Sequence, residues 1–444
     1  MKMNTLLKRG RPRTYEGGPA VRMTPERELR RAVLACLLWE DSFYESGQSV
    51  AKRIEALVPR VEPEVVAELA VEARHGMKLR HAPLWVIVAM TRSPAHLRLV
   101  GRTLQRVISR ADEPAEFLAM YWADGRRPLA KQVKTGLASA LTKFDAYELA
   151  KYDRAGAVRL RDVLFLTHAK PRDAAQTEAF GRLASGTLVP AKTWEVALSA
   201  GGSVKSDREK RDRWTELLTE RRMGALAVLR NLRNMEEAGV KPKLIRRAID
   251  EMRPGRVLPM RFIAAARHAP RYEPALERAM FRSVSAEPML RGHTAVLVDV
   301  SYSMVGVRVS KHSDLTRLDA AAALAMLAAQ ASGSCAVFTF SNDVKRMPPR
   351  RGFALRDVIV GQEHGGTYLG KAVATVNELE QYDRLIVITD EQSHDPVGPP
   401  AGRGYLLNVA TYRHAVGYGP WVRIDGWSEA VLRYIRESEH ASYT

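Results

Sequence analysis

The chain has 444 residues, 46% of them hydrophobic, and a formal net charge of +19. That length accommodates two or three domains with ordinary cores. Its two cysteines, Cys36 and Cys335, exclude a disulfide framework and have no neighbours at metal-ligand spacing, which points to a reducing, cytoplasmic setting.

Residues 1–20 are basic and carry no apolar core of the kind a secretory signal needs, so a mobile basic arm is expected there. No stretch of the sequence approaches the roughly 20 apolar residues of a membrane-spanning helix, and no membrane partner is expected. From 21 to 285 the sequence reads as helix after helix. Examples are 25–44, 63–74, 83–92, 96–110, 132–144, 159–168, 223–239 and 243–252. Apolar residues recur at three-to-four spacing, as in Leu29, Val33, Cys36 and Leu37. Many short helices with short Pro/Gly/Asp joints imply stacked antiparallel pairs, a HEAT-like solenoid, although no strict period is visible.

The positive charge belongs to this region alone. Residues 291–444 hold 16 Lys and Arg against 16 Asp and Glu, which leaves 53 basic and 34 acidic residues in 1–290. A chain that merely favoured arginine throughout would have a basic C-terminal part as well. Basic excess confined to one region points to a polyanion such as nucleic acid. Arg126, Arg127, Lys131, Lys134, Lys143 and Lys151 follow one another with few acidic residues between 126 and 143, and Tyr152 beside them can stack. In 158–171, Leu160, Val163, Leu164 and Leu166 are expected to face a core, while His168, Lys170 and Arg172 cluster at the helix end. A histidine at such a place is, on physics alone, a cap or a dipole partner.

After a linker at 282–293 the pattern changes. The runs 294–300, 335–341 and 384–390 are short, continuous and β-branched, as expected of parallel strands covered on both faces. Helices at 318–331 and 370–380 alternate with them, so 291–444 reads as a doubly wound α/β domain. Ligands of such sheets bind beyond the carboxyl ends of the strands. Five oxygen-bearing residues fall at predicted strand ends and loops: Asp299, Ser301 and Ser303, then Thr367 behind Gly-Gly, then Asp390. Two carboxylates and three hydroxyls suit a hard cation such as Mg²⁺ and leave room for water or a partner's oxygen. An Asp-x-Ser-x-Ser triplet alone can be a cap or a turn. Thr367 and Asp390 in strand-end positions favour the metal.

This pattern resembles the von Willebrand factor A domain and its metal-ion-dependent adhesion site, with a match at all five positions over 291–444. LRDVLFLTHAKP resembles the signature of the TROVE module of the Ro ribonucleoprotein family, and 192–199, 223–235 and 261–270 agree. The two resemblances stand in the order found in Ro proteins, so the chain is identified as similar to a bacterial or phage-type member. The resemblance implies an α-helical repeat ring closed by the von Willebrand-type domain and acting as a monomer. Single-stranded 3′ ends of misfolded RNA would enter the basic hole, and structured Y-like RNA would bind outside. It assigns RNA binding to His168 and Lys170, with Arg172, Lys131, Lys134 and Lys143 contributing. It also implies a tethered 3′ exoribonuclease.

The expected function is therefore a non-catalytic RNA-binding protein with a Mg²⁺ site. The alternative is a Mg²⁺-dependent protein-interaction module whose basic region is incidental. A two-metal nuclease fits less well, because three hydroxyl ligands supply neither charge for a second ion nor a general base.

Overall fold

The computed structural model describes residues 13–14, 19, 24–34, 47–153, 155–189, 206–282, 290–306, 308, 314–410, 419–426, 428 and 430–440. The chain divides into two compact units. One is 51–283; the other joins 1–50 to 284–444.

The first unit is helical throughout its described residues. Numbering helices along the whole chain, α1 is Pro25–Leu34 and α2 is Gly47–Leu57, within which the unit begins. There follow α3 (Pro63–His75), α4 (His81–Met90), α5 (Leu97–Val107), α6 (Glu113–Tyr121), α7 (Lys131–Leu141), α8 (Ala146–Tyr152), α9 (Leu160–Thr167) and α10 (Ala174–Ser185). Then come α11 (Asp207–Thr219), α12 (Ala225–Glu237), α13 (Pro242–Glu251), α14 (Met260–His268) and α15 (Glu273–Phe281). The apolar spacing explains them. In α5, for instance, Val100, Thr103, Leu104 and Val107 recur at i, i+3, i+4 and i+7 and are buried.

Packing follows a ladder. Helix α3 touches α5, α5 touches α7 and α7 touches α9, while α4 touches α6. The pattern resumes with α11 on α13, α12 on α14 and α13 on α15. Contact with the next helix but one is the signature of stacked helix pairs, so the HEAT-like expectation describes this unit. The tightest joint is between α5 and α7, where glycines face each other. A Cβ on Gly136 would lie 2.8 Å from both Cα and O of Gly101.

In the second unit six strands form one sheet: β1 (Leu290–Asp299), β2 (Ser332–Phe340), β3 (Val344–Arg346), β4 (Arg384–Thr389), β5 (Arg403–Asn408) and β6 (Trp421–Asp425). Their order is β3-β2-β1-β4-β5-β6, with β2–β3 antiparallel and the rest parallel. Strands β1 and β4 pair from Thr294↔Arg384 to Val298↔Ile388. Helix α16 (Tyr302–Val305) follows β1, and α17 (Arg317–Ala331) leads into β2. The remaining helices are α18 (Gly352–Val360), α19 (Leu369–Leu379) and α20 (Ala430–His440). The Ala-rich α17 is buried almost all round and packs on β1, β2 and α18. On another face of the sheet, Leu297, Phe338, Val387 and Leu406 pack with Leu369, Val373 and Val376 of α19. Covering on both faces is what makes β1 and β4 continuous apolar runs.

Three expectations change. Residues 21–50 were assigned to the helical region, yet α1 belongs to the unit that holds the sheet and lies beside β6. Its buried face is Leu29, Arg31, Ala32, Val33 and Leu34. Thr14, within the expected mobile arm, is buried and donates its hydroxyl to the Ser393 carbonyl at 2.6 Å. That bond anchors this part of the arm. The linker is also shorter than expected, because β1 already begins at Leu290. Residues 1–12, 35–46 and the motif at 192–199 lie outside the described residues.

Candidate functional site

Strand order reverses chain direction between β1 and β4, a topological switch point. Asp299 ends β1 and Asp390 follows β4, so both carboxylates arrive at the crevice there. Both are fully buried, and Ser301, Ser303 and Thr367 are nearly so.

Hydrogen bonds draw three loops together. Ser301 N–H donates to Asp299 Oδ1 at 2.9 Å, and Thr389 Oγ1 donates to Asp299 Oδ2 at 2.6 Å. Ser301 Oγ and Ser303 Oγ are 3.2 Å apart, and Ser303 Oγ donates to Asp390 Oδ2 at 2.6 Å. The Gly-Gly-Thr loop is held from both sides. Tyr302 N–H donates to the Gly365 carbonyl at 3.1 Å, and His394 N–H donates to the Thr367 carbonyl at 2.8 Å. His364 and His394 serve this stitching. His364 Nδ1 lies 2.8 Å from the Val300 carbonyl, and His394 Nδ1 lies 3.1 Å from the Thr367 carbonyl. On the rim, Tyr302 forms an edge contact with His364, and Tyr368 stacks on His394.

The electrostatics suit a cation. Burial, and then the neighbouring Asp390 carboxylate, push Asp299 well above the usual carboxylate range. A divalent ion would relieve the repulsion between two buried carboxylates. Among the described residues no group of three or more His, Cys, Asp or Glu side chains is set to hold a metal. The donor set here is of another kind, two carboxylates with hydroxyls, which fits a hard cation. The guanidinium of Arg317 stands 3.9 Å from Asp390 Oδ2 and offsets part of the negative charge.

The basic candidates sit in the helical unit and fall into two groups. Lys131 and Lys134 are exposed near the start of α7. Their side chains make no hydrogen bond or ion pair among the described residues. The other group gathers where the loop after α9 meets the end of α7, about 16 Å further along that helix at 1.5 Å per residue. There Arg172 Nη1 donates to the Thr142 carbonyl at 2.8 Å, and Arg172 Nε donates to Asp173 at 3.1 Å.

Lys143 departs from expectation. Its ammonium donates to the carbonyls of Gln105 and, at 2.7 Å, Ile108, at the end of α5. Burial pulls its pKa down. It caps a helix, a use that competes with gripping a phosphate.

His168 and Lys170 are exposed. His168 closes α9 in the left-handed conformation, φ 51°, with its N–H on the Leu164 carbonyl at 3.0 Å. A residue other than glycine at this position costs stability.

Phe165 was missed by sequence reasoning. It is 56% exposed, on α9, three residues before His168. The signal was available: the buried stripe is Leu160, Val163, Leu164 and Thr167, and Phe165 is out of phase with it. Around Tyr152, Arg110 lies 4.8 Å and Lys151 5.3 Å from the ring, so the expected stacking residue already carries cations.

No protein-family model matches the sequence, and no curated protein matches it. Six solved chains do. One is the crystal structure of the RO (RSR) protein of Deinococcus radiodurans, 18% identical, with a TM-score of 0.61 over 93% of this chain and 98% of that one. The likeness shows the fold: a helical-repeat region followed by an open α/β domain.

Proposed function

We propose that this chain is a non-catalytic RNA-binding protein of the Ro type. It would hold a Y-like small RNA and the single-stranded 3′ ends of misfolded RNAs, within a ribonucleoprotein of RNA quality control. One combined observation carries the reading. The fold is that of the RO protein along 93% of the chain, and all of the +19 charge falls in residues 1–290, most of which is the helical-repeat part. Neither the charge nor the fold alone would separate this from an interaction module.

Exposed Lys131, Lys134, Lys170 and Arg172 can grip phosphates regardless of sequence, and His168 and Phe165 offer rings to unpaired bases. Bases are available for stacking only where a strand is unpaired, so this surface would favour ends and loops. If the repeats close into a ring, as the family resemblance implies, an unpaired end enters where a duplex does not.

Asp299, Ser301, Ser303, Thr367 and Asp390 would hold Mg²⁺, which when bound supplies a coordination site for an oxygen from a partner. These residues orient the donors and keep bulk water from the carboxylates. A protein partner such as a 3′ exoribonuclease fits that role.

The test is RNA binding at several salt concentrations, comparing a blunt duplex with the same duplex bearing a 3′ extension. The tailed RNA should bind tighter, and its affinity should fall steeply with salt. Equal affinity for both at moderate salt overturns the end-binding reading.

A further inference from the structure

The loop that carries Asp390 is held by residues more than 350 positions away in sequence. Arg31 of α1 has no solvent exposure, and its Nη1 lies 3.2 Å from Glu391 Oε1. Its Nη2 donates to the carbonyl of Asp390 itself at 3.3 Å. Arg423 of β6 meets the same Glu391 Oε1 from the other side, with Nη2 at 2.8 Å and Nε at 3.0 Å. Two residues on, the Thr14 hydroxyl donates to the Ser393 carbonyl. Ser393 Oγ in turn accepts from Leu369 N–H, at the start of the helix behind Thr367.

Glu391 is the strained point. It is fully buried with φ 61°, the left-handed region that favours glycine. Such a backbone persists only where surrounding contacts over-determine it. Here those contacts are the Thr389 hydroxyl, which accepts from the Glu391 N–H at 3.0 Å, and two guanidiniums on the Glu391 carboxylate, one of them supplied by the N-terminal segment. Rotation of the 390–391 peptide would turn the Asp390 carbonyl away from Arg31 Nη2.

We propose that the N-terminal segment is part of the metal centre: Arg31 and Thr14 are positioning residues that clasp the 390–393 loop, so cation binding and docking of Thr14 and of residues 24–34 are coupled. The proposal rests on the reading of Asp299 and Asp390 as cation ligands. Because coupling is reciprocal, Mg²⁺ must strengthen docking of the segment by the factor by which docking strengthens Mg²⁺ binding. By charge alone, removing Arg31 would favour a cation, so any loss of Mg²⁺ affinity in its variants reports the lost positioning of the loop and not a change in field.

The experiment uses the full chain and two readouts: calorimetric titration with Mg²⁺, and amide exchange of 24–34 and 390–395 with Mg²⁺ or with EDTA. Thr14→Val removes one hydroxyl and should weaken Mg²⁺ binding about threefold. Arg31→Met should weaken it tenfold or more, and Arg31→Lys should recover part of the loss. In the unmodified chain Mg²⁺ should slow exchange of 24–34, and in Asp299→Ala it should not. If the unmodified chain binds no Mg²⁺, the metal reading itself falls. If it binds Mg²⁺ and the Thr14 and Arg31 variants bind it equally well, the metal reading stands and the clasp is overturned. Should Arg31→Met fail to fold, Thr14→Val and the Mg²⁺ effect on exchange of 24–34 decide the matter alone.

Discussion

Arginine does opposite work in the two units. In the helical unit most of its ion pairs lie on the surface, such as Arg98 with Glu64, Arg106 with Glu68 and Arg182 with Glu178, the pair of Arg74 with buried Glu113 being an exception. Arg98 is 68% exposed, and water screens such pairs until they contribute little. What counts there is the unneutralised surplus. In the α/β unit several arginines are buried, although others such as Arg346 are exposed. Arg384 is 4% exposed, held by both oxygens of Glu439 and by Thr294 Oγ1 at 2.8 Å. Arg31, Arg317 and Arg423 are buried around the Asp390 loop. A net charge of only +2 over 1–50 and 284–444 therefore hides a strongly ionic interior, whereas most of the +17 over 51–283 lies on the outside of the helical unit. The first arrangement fixes geometry; the second attracts a long anion.

This contrast can be broken by experiment. The largest effect should come from Asp299→Ala, which should abolish Mg²⁺ binding in calorimetry and leave RNA affinity unchanged, with or without EDTA. RNA affinity lost together with the metal would place the ion in the RNA site and erase the division between the units. Next is Arg384→Met. Removing one partner of a buried, hydrogen-bonded pair should cost about 3–5 kcal/mol in urea unfolding. Arg98→Ala should be indistinguishable from the unmodified chain by the same measurement, and equal losses at both positions would remove the distinction between surface and interior.

Phe165→Ala should weaken binding of unpaired RNA by about 1–3 kcal/mol, the usual worth of an aromatic–base stack, while the melting temperature stays put. A lowered melting temperature with normal RNA binding would make Phe165 a packing residue. Replacing Lys131 and Lys134 with Ala should weaken all RNAs alike and reduce the log–log salt slope by roughly 0.7 for each lysine. Loss confined to one RNA sequence would count against simple phosphate contacts. The smallest effect is that of His168→Gly on stability. Relief of the left-handed backbone is partly offset by the freedom glycine gains in the unfolded chain, so a net gain of less than about 1 kcal/mol is expected. Structured small RNA should bind more weakly at the same time. A stabilised variant with unimpaired binding would leave His168 as a helix cap and nothing more.

Much of the α/β unit was legible because double-sided burial leaves a plain trace. The runs at 294–300 and 384–390 became β1 and β4 within a residue or a few, and the five oxygen donors lie at or beyond strand ends, in segments that hydrogen bonds tie together. Strands β5 and β6 left no such trace, since RGYLLN and WVRID mix arginine and glycine with a few apolar residues. In the helical unit the elements were readable and the use of individual cations was not. Nothing local distinguishes Lys143, turned back onto carbonyls of α5, from Lys134, which points outward. The allegiance of α1 was equally hidden. An amphipathic helix announces that it packs, not against what, and only Glu391, 360 residues away, explains an arginine on its buried face.

The paired glycines of α5 and α7 have a consequence for any strand laid across the repeats. Gly101 and Gly136 let the backbones of these two helices come close, with a Cβ on Gly136 falling 2.8 Å from Gly101 Cα and O. The spacing between successive repeats, and hence the pitch at which cationic side chains recur, is set partly by two missing methyl groups. Gly136→Ala would meet backbone rather than a yielding side chain and would wedge the stack open at one joint. Lys131 and Lys134, which ride on α7, would shift relative to every basic side chain earlier in the stack. Affinity could then change with no charge altered, much as a ruler reads falsely when one division is stretched.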